Sequence, residues 1–141
     1  MQVDHEKVHK YLGITLDYTT VGQVNINMLD YTDKIIDAFN KAYQMVGSTK
    51  SSDARAIILK VNEDCKKLIP SKVWNFIIWW ENIIFFTKQD RPDTCTTLSF
   101  LATRARKPEN DNWAKLVHQA KYIRGTRNLP LILSANISGI L

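Results

Sequence analysis

Seven basic side chains in the second half of the chain could do chemistry with a partner: Arg104, Arg106, Lys107, Lys115, Lys121, Arg124 and Arg127. Lys121 and Arg124 stand three apart, as do Lys115 and His118, so each pair falls on neighbouring rows of one helix surface. Cations arrayed in this way neutralise phosphates and release counterions, which gives salt-dependent, sequence-independent affinity for nucleic acid. The alternative is a solvated helix face. Residues 1–70 carry nine Lys/Arg against nine Asp/Glu, and residues 71–141 carry ten against five. The net charge of +5 therefore belongs to the second half.

Other reactive residue types form weaker patterns. His5 and His9 stand four apart, close enough for one helical face, but no third metal ligand is near them. Asp30, Asp33 and Asp37 have the 3/4 spacing of a solvated face on an amphipathic helix, not of a catalytic carboxylate cluster. No phosphate-binding G-x-x-x-x-G-K-[ST], nucleophile elbow or H-E-x-x-H occurs. Neither an active site, a metal site nor a cofactor is expected. Cys65 and Cys95 are isolated, and residues 1–10 have no apolar core of a secretory signal. Residues 73–86 are too short an apolar run to span a bilayer. An intracellular protein, cytoplasmic or nuclear and not secreted, is the expectation, with no membrane partner.

The elements that must position these residues are legible in part. Alternation over residues 11–18 and 24–28, around a Gly-containing loop, predicts a β-hairpin. Tyr31, Ile35, Ile36, Phe39, Ala42 and Tyr43 share a helical face, with Asp30 or Thr32 as its cap and a stop near Gly47. Residues 47–71 read as a linker, in which Ala56 to Leu59 could touch the core. Three helices follow, over about 72–88, 94–106 and 111–124. The first is so apolar that it must be central or covered by a partner. Pro92 resets the chain before the second, with Asp93 placed as its cap. Arg91 is free to pair with a carboxylate or a phosphate. Trp113 lies on the inward face of the third helix, and Gly125 offers it a left-handed C-terminal cap. Residues 129–133 suit a last strand, and 134–141 form a tail. The fold class is α+β: an N-terminal β-hairpin and helix over 1–46, then a three-helix unit over 72–133 closed by a short strand.

Four short motifs occur in order: Tyr11-Leu12-Gly13-Ile14, Arg91-Pro92-Asp93, Asn112-Trp113 and Tyr122-Ile123-Arg124-Gly125-Thr126. This set resembles the part of a copia-type retrotransposon reverse transcriptase that follows the catalytic palm, within a Pol polyprotein. The family's wording there is F-L-G-[IM], T-R-P-D-I, H-W and R-Y-L-K-G-T, and the resemblance spans residues 8–133. It implies a palm-derived hairpin and helix over 1–46 and a thumb/connection unit over 72–133. It also implies a sequence-independent grip on an RNA/DNA template–primer duplex. Tyr11 to Ile14 would begin the hairpin supporting the primer's 3′ end, where Gly13 either permits close backbone approach or makes a turn or bulge. Arg91-Pro92-Asp93 would join two helices as scaffold.

Tyr/Phe-x-Asp-Asp is absent from the sequence, and the start of an RNase H domain is not evident, so no nucleotide addition is expected. Departures include Asp90, Thr94, Glu109 and Asn112, and Glu81, which stands where the family has a small residue and puts close helix packing in doubt. A decayed copy with no selected role fits such departures too. The rival from another class is a self-associating helical module using the Trp74–Phe86 segment, with Trp79, Trp80 and Phe85.

Overall fold

The computed structural model describes residues 6–50 and 59–135. The fold is α+β. Strands β1 (Val8–Tyr11), β2 (Ile14–Asp17) and β3 (Gln23–Asn27) lead into helix α1 (Leu29–Tyr43), and α2 (Pro70–Gln89), α3 (Cys95–Arg104) and α4 (Asn110–Gly125) precede strand β4 (Leu131–Ser134). A single 3-10 turn, Pro92–Thr94, separates α2 from α3. The sheet is antiparallel in the order β1-β2-β3-β4. The last strand thus returns to pair with β3, Ile26 opposite Leu131, and the N- and C-terminal parts share one sheet.

The hairpin differs from the expected one. Residues 11–18 do not form a single strand: Tyr11 pairs with Ile14, and Leu12 and Gly13 make the two-residue turn between β1 and β2 with φ of 51° and 82°. Positive φ at both positions matches the twist of the flanking strands. Gly13 therefore makes a turn at the tip and does not open a strand to close approach. His9 lies in β1 and not on a helix, and His5 is outside the described residues.

Ile36 and Phe39 of α1 are buried, with Tyr31, Ile35 and Tyr43 packed beside them. Neither Asp30 nor Thr32 caps this helix. Met28 occupies the cap position without a side-chain bond, and Thr32 Oγ1 donates back to Met28 O at 2.9 Å. Nor does α1 run to Gly47. Gln44 takes the left-handed conformation at φ 47° and donates its N–H to Asn40 O, which turns Met45 inward to 6% exposure. Leu59 is exposed, and Ala56 to Ile58 lie outside the described residues.

Pro70 supplies the first turn of α2, where its missing N–H costs nothing. Phe76, Ile83, Phe86 and Thr87 are buried, while Glu81 faces solvent, so its carboxylate does not disturb helix packing. The ends expected from the sequence for α2, α3 and α4 fall within two residues of those found. Aromatic rings of three helices meet in one cluster. Phe39 and Tyr43 of α1 lie 4.9 Å and 6.0 Å from Trp79 of α2, and Trp113 of α4 sits 4.9 Å from Tyr43. Trp79 Nε1 donates to Tyr43 OH at 3.2 Å, and Trp80 Nε1 to Leu98 O at 2.9 Å, so both indoles satisfy their single polar atom.

Gly125 ends α4 in a conformation open to any residue, and Thr126, with φ −122°, takes the cap position. The left-handed cap expected of Gly125 is therefore absent. A glycine is required there for a different reason: a Cβ would overlap the backbone of Thr49, whose N–H donates to Lys121 O at 3.2 Å. Gly125→Ala should lower stability by about 1–3 kcal/mol through backbone displacement. Urea unfolding of the two proteins, read as a shift in midpoint at unchanged slope, checks this.

Candidate nucleic-acid interface

Two motifs thirty residues apart meet in one polar cluster. Arg91 is 3% exposed, and each of its three guanidinium nitrogens donates to a protein acceptor. Nε and Nη2 donate to the two oxygens of Asp93 at 2.9 and 2.7 Å. Nη1 donates to Thr126 O at 3.0 Å, and Nη2 also donates to Thr126 Oγ1 at 2.7 Å. Thr126 can accept because its own hydroxyl hydrogen goes to Tyr122 O at 2.7 Å. Tyr122 OH completes the ring with a 2.7 Å bond to Asp93 Oδ2, and the guanidinium lies 5.3 Å from the Tyr122 ring centre. Arg91 thus takes a carboxylate and not a phosphate. Asp93 does not cap α3: its oxygens belong to Arg91 and Tyr122, and the cap residue Thr94 spends its hydroxyl on Arg91 O at 2.9 Å.

Asp90 ties the same turn to the sheet. Its carboxylate, 4% exposed, accepts the Met28 N–H at 3.2 Å, at the junction of β3 and α1. Burial pushes this carboxyl above its ordinary value, against the Met28 bond and the neighbouring Arg91 charge. Burial also acts on Asp93, but there the bonds from Arg91 and Tyr122 and the Arg91 charge outweigh it and hold the carboxyl low. Tyr122 is pushed up by burial and by its bond to Asp93.

The basic residues do not share one face. Lys115 is 7% exposed, with its ammonium 2.7 Å from Asp111, 2.5 Å from Lys60 O and 5.0 Å from the Phe100 ring centre. It is a structural cation, so its expected place on a phosphate-gripping surface is corrected. Arg124 is half-buried and donates to Met45 O at 3.2 Å, and Arg127 pairs with Asp33 at 3.1 Å. These two flank a polar groove of about 220 Å³ with Asp33, Asp37 and Asn40. Arg104, half-buried over the Phe100 ring, and the exposed Arg106 and Lys107 sit at the opposite end of α4, roughly 24 Å away at 1.5 Å per residue. Lys121 is half-buried between the two ends. A 3/4 spacing on one helix could not reveal that its cations point into two different neighbourhoods.

The hairpin tip leaves Tyr11 68% and Leu12 78% exposed, and Ile14 is half-buried against the core. Asp30 and Asp33, read as a solvated face, meet Lys10 at 3.7 Å and Arg127 at 3.1 Å. Among the described residues no group of His, Cys, Asp and Glu could hold a metal ion, and no helix is long and apolar enough to cross a membrane. Compared with protein-family models, curated proteins and solved structures, the chain matches none.

Sequence reasoning missed Asp90, noted only as a departure, and Glu109 with Asn112. The last two form a reciprocal capping arrangement at the start of α4, in which Asn112 Oδ1 accepts the Glu109 N–H at 2.9 Å. The spacing of three between a carboxylate and an amide was the available signal. It also missed that the supposed linker pairs with the α3–α4 corner. Leu68 N–H bonds Pro108 O at 3.0 Å, Asn110 N–H bonds Lys66 O at 2.9 Å, and Lys67 bridges to Glu109.

The two carboxylates should show opposite pH signatures against the unfolded value near 3.8. Asp93, held low when folded, contributes stability that is present above that value and is lost as pH falls below it. Asp90, held high, contributes stability only below that value, and loses it as pH rises through the folded value. At neutral pH, Asp93→Asn should cost about 1–2 kcal/mol, allowing for screening of a carboxylate 40% exposed, whereas Asp90→Asn should cost nothing or stabilise. As pH falls towards 4, the Asp90→Asn advantage shrinks and the Asp93→Asn deficit persists. Denaturant unfolding of the three proteins across pH 4–7 gives both signs.

Proposed function

We propose that this chain is a thumb/connection region of a copia-type reverse transcriptase, contacting a template–primer duplex through its phosphates without carrying the polymerase chemistry. The observation that supports this reading most is the interlock of Arg91-Pro92-Asp93 with Tyr122 and Thr126. The resemblance gives the first motif the task of joining two helices, and here it bridges α2 and α3. It also explains why both motifs need those residue types: a planar five-donor cation, a carboxylate, a phenol and a hydroxyl.

Two surfaces suit the partner. The tip at Leu12 and Gly13 presents Tyr11 and Leu12 outward, as a hairpin pressed against a primer end would. The exposed cations of the α3–α4 corner suit phosphodiesters. The chain contains no Tyr/Phe-x-Asp-Asp to hold the two metal ions of nucleotide addition.

A second reading draws on α2. Trp74, Ile78 and Phe85 are 69%, 49% and 50% exposed, and they follow one another along one side of the helix. Such a stripe suits self-association. It ranks second because a stable interface takes roughly 20–30 residues a side.

Fluorescence anisotropy of a labelled RNA–DNA duplex separates the readings. The first expects binding whose logarithm falls linearly with the logarithm of salt, by about 0.9 per phosphate contact, with similar affinity for unrelated sequences. No primer extension should accompany it. Salt-indifferent self-association in sedimentation, with no duplex binding, would favour the second.

A further inference from the structure

We infer that the working phosphate site is the α3–α4 corner, assembled from Arg106 and Lys107 together with Lys66 and Lys67, which come from a segment the charge count treats as neutral. This rests on the nucleic-acid reading above and names the residues that carry it.

The backbone decides the placement. Residues 66–68 run antiparallel to residues 108–110, held by the two backbone hydrogen bonds that flank the backbone pairing of Lys67 with Glu109. In this register Lys67 lies opposite Glu109 and Lys66 opposite Asn110, two and three positions from Lys107 on a backbone about 4.8 Å away. All four side chains are exposed, and none pairs with a carboxylate among the described residues. Of the nearby acidic groups, Asp111 is held by Lys115 and Glu109 caps α4, while the exposed Glu63 and Asp64, two to four residues before the lysines, offset part of the charge. Lys107 N–H bonds Arg104 O, which closes the C-terminal end of α3, where the helix dipole also favours cations.

The corner differs from Lys115, Arg124 and Arg127 in its lack of protein acceptors among the described residues. Lys115, Arg124 and Arg127 have protein acceptors, so engaging a phosphate would break existing bonds. The corner residues would exchange only water and counterions. Four exposed cations on two neighbouring segments suit a phosphodiester backbone, which carries charge but no sequence information. The occupant is therefore a phosphodiester backbone, bound without regard to sequence.

The test uses the full chain and a labelled RNA–DNA duplex over about 50–200 mM salt. Changing Lys66, Lys67, Arg106 and Lys107 together to Gln should weaken binding about tenfold or more at low salt and reduce the salt slope by about 3.6. Arg127→Gln should change affinity by less than about twofold. Lysine acetylation read by mass spectrometry supplies a measurement on the unaltered chain: duplex should protect Lys66, Lys67 and Lys107 and leave Lys41 reactive. If the unaltered chain binds duplex and the fourfold variant keeps its affinity and slope, or those lysines stay unprotected, the corner is not the site. If the unaltered chain binds no duplex at any salt, the reading of the whole chain falls, and the corner with it.

Discussion

A guanidinium buried to 3% exposure needs protein acceptors, and four hydrogen bonds to Asp93 and Thr126 meet that need and organise this fold. Arg91 stands in the break between two helices, where no helical carbonyls are on offer. Asp93 lies two residues away and binds it side by side, and the remaining donors reach the end of α4 at Thr126. The chain between them, all of α3 and most of α4, is therefore closed into a loop by side-chain bonds. Removing Asp93 would leave the Arg91 charge without its counter-charge in a dry place, which costs more than the pair itself contributes.

Other features follow from where this ring sits. Holding Thr126 against Arg91 fixes the C-terminal end of α4 beside the strand of chain at Thr49, and only a residue without a Cβ fits at 125. Asp90, adjacent to the ring, reaches the Met28 N–H and sets the start of α1 against the end of α2. With α1 so placed, Phe39 and Tyr43 meet Trp79 and Trp113. The polar ring at one end and the aromatic cluster nearer the middle therefore support each other: the first sets the angle between helices, and the second supplies apolar burial.

What was legible in the sequence divides along physical lines. Pro70, Pro92 and Pro108 punctuate the second half, and apolar spacing between them marks three helices, so those elements could be read nearly to the residue. Cap and turn residues were misread because one residue type serves several purposes. Asp93 before a helix has the appearance of a cap until a buried arginine claims it. Gly125 after a periodic run suggests a left-handed ending, yet the constraint on it comes from residue 49, far away in sequence. Leu12-Gly13 was taken into a strand because Leu is unusual at a positive-φ turn position. Glu81, Glu109 and Asn112, which resembled damage, are accommodated: one is solvated and two cap a helix.

The candidate interface was the least legible part, and the reason is general. Net charge is a property of composition, whereas phosphate affinity depends on cations that have no better partner at home. Counting along the chain credits Lys115, Arg124 and Arg127, each of which the fold engages with a carboxylate or carbonyl. The same count gives nothing to Lys66 and Lys67, because Glu63 and Asp64 cancel them on paper. Pairing of residues 66–68 with 108–110 brings the two lysines to a corner that already holds Arg106 and Lys107. The cation patch at this corner is thus a product of topology: two short segments become basic together only through the pairing of residues 66–68 with 108–110.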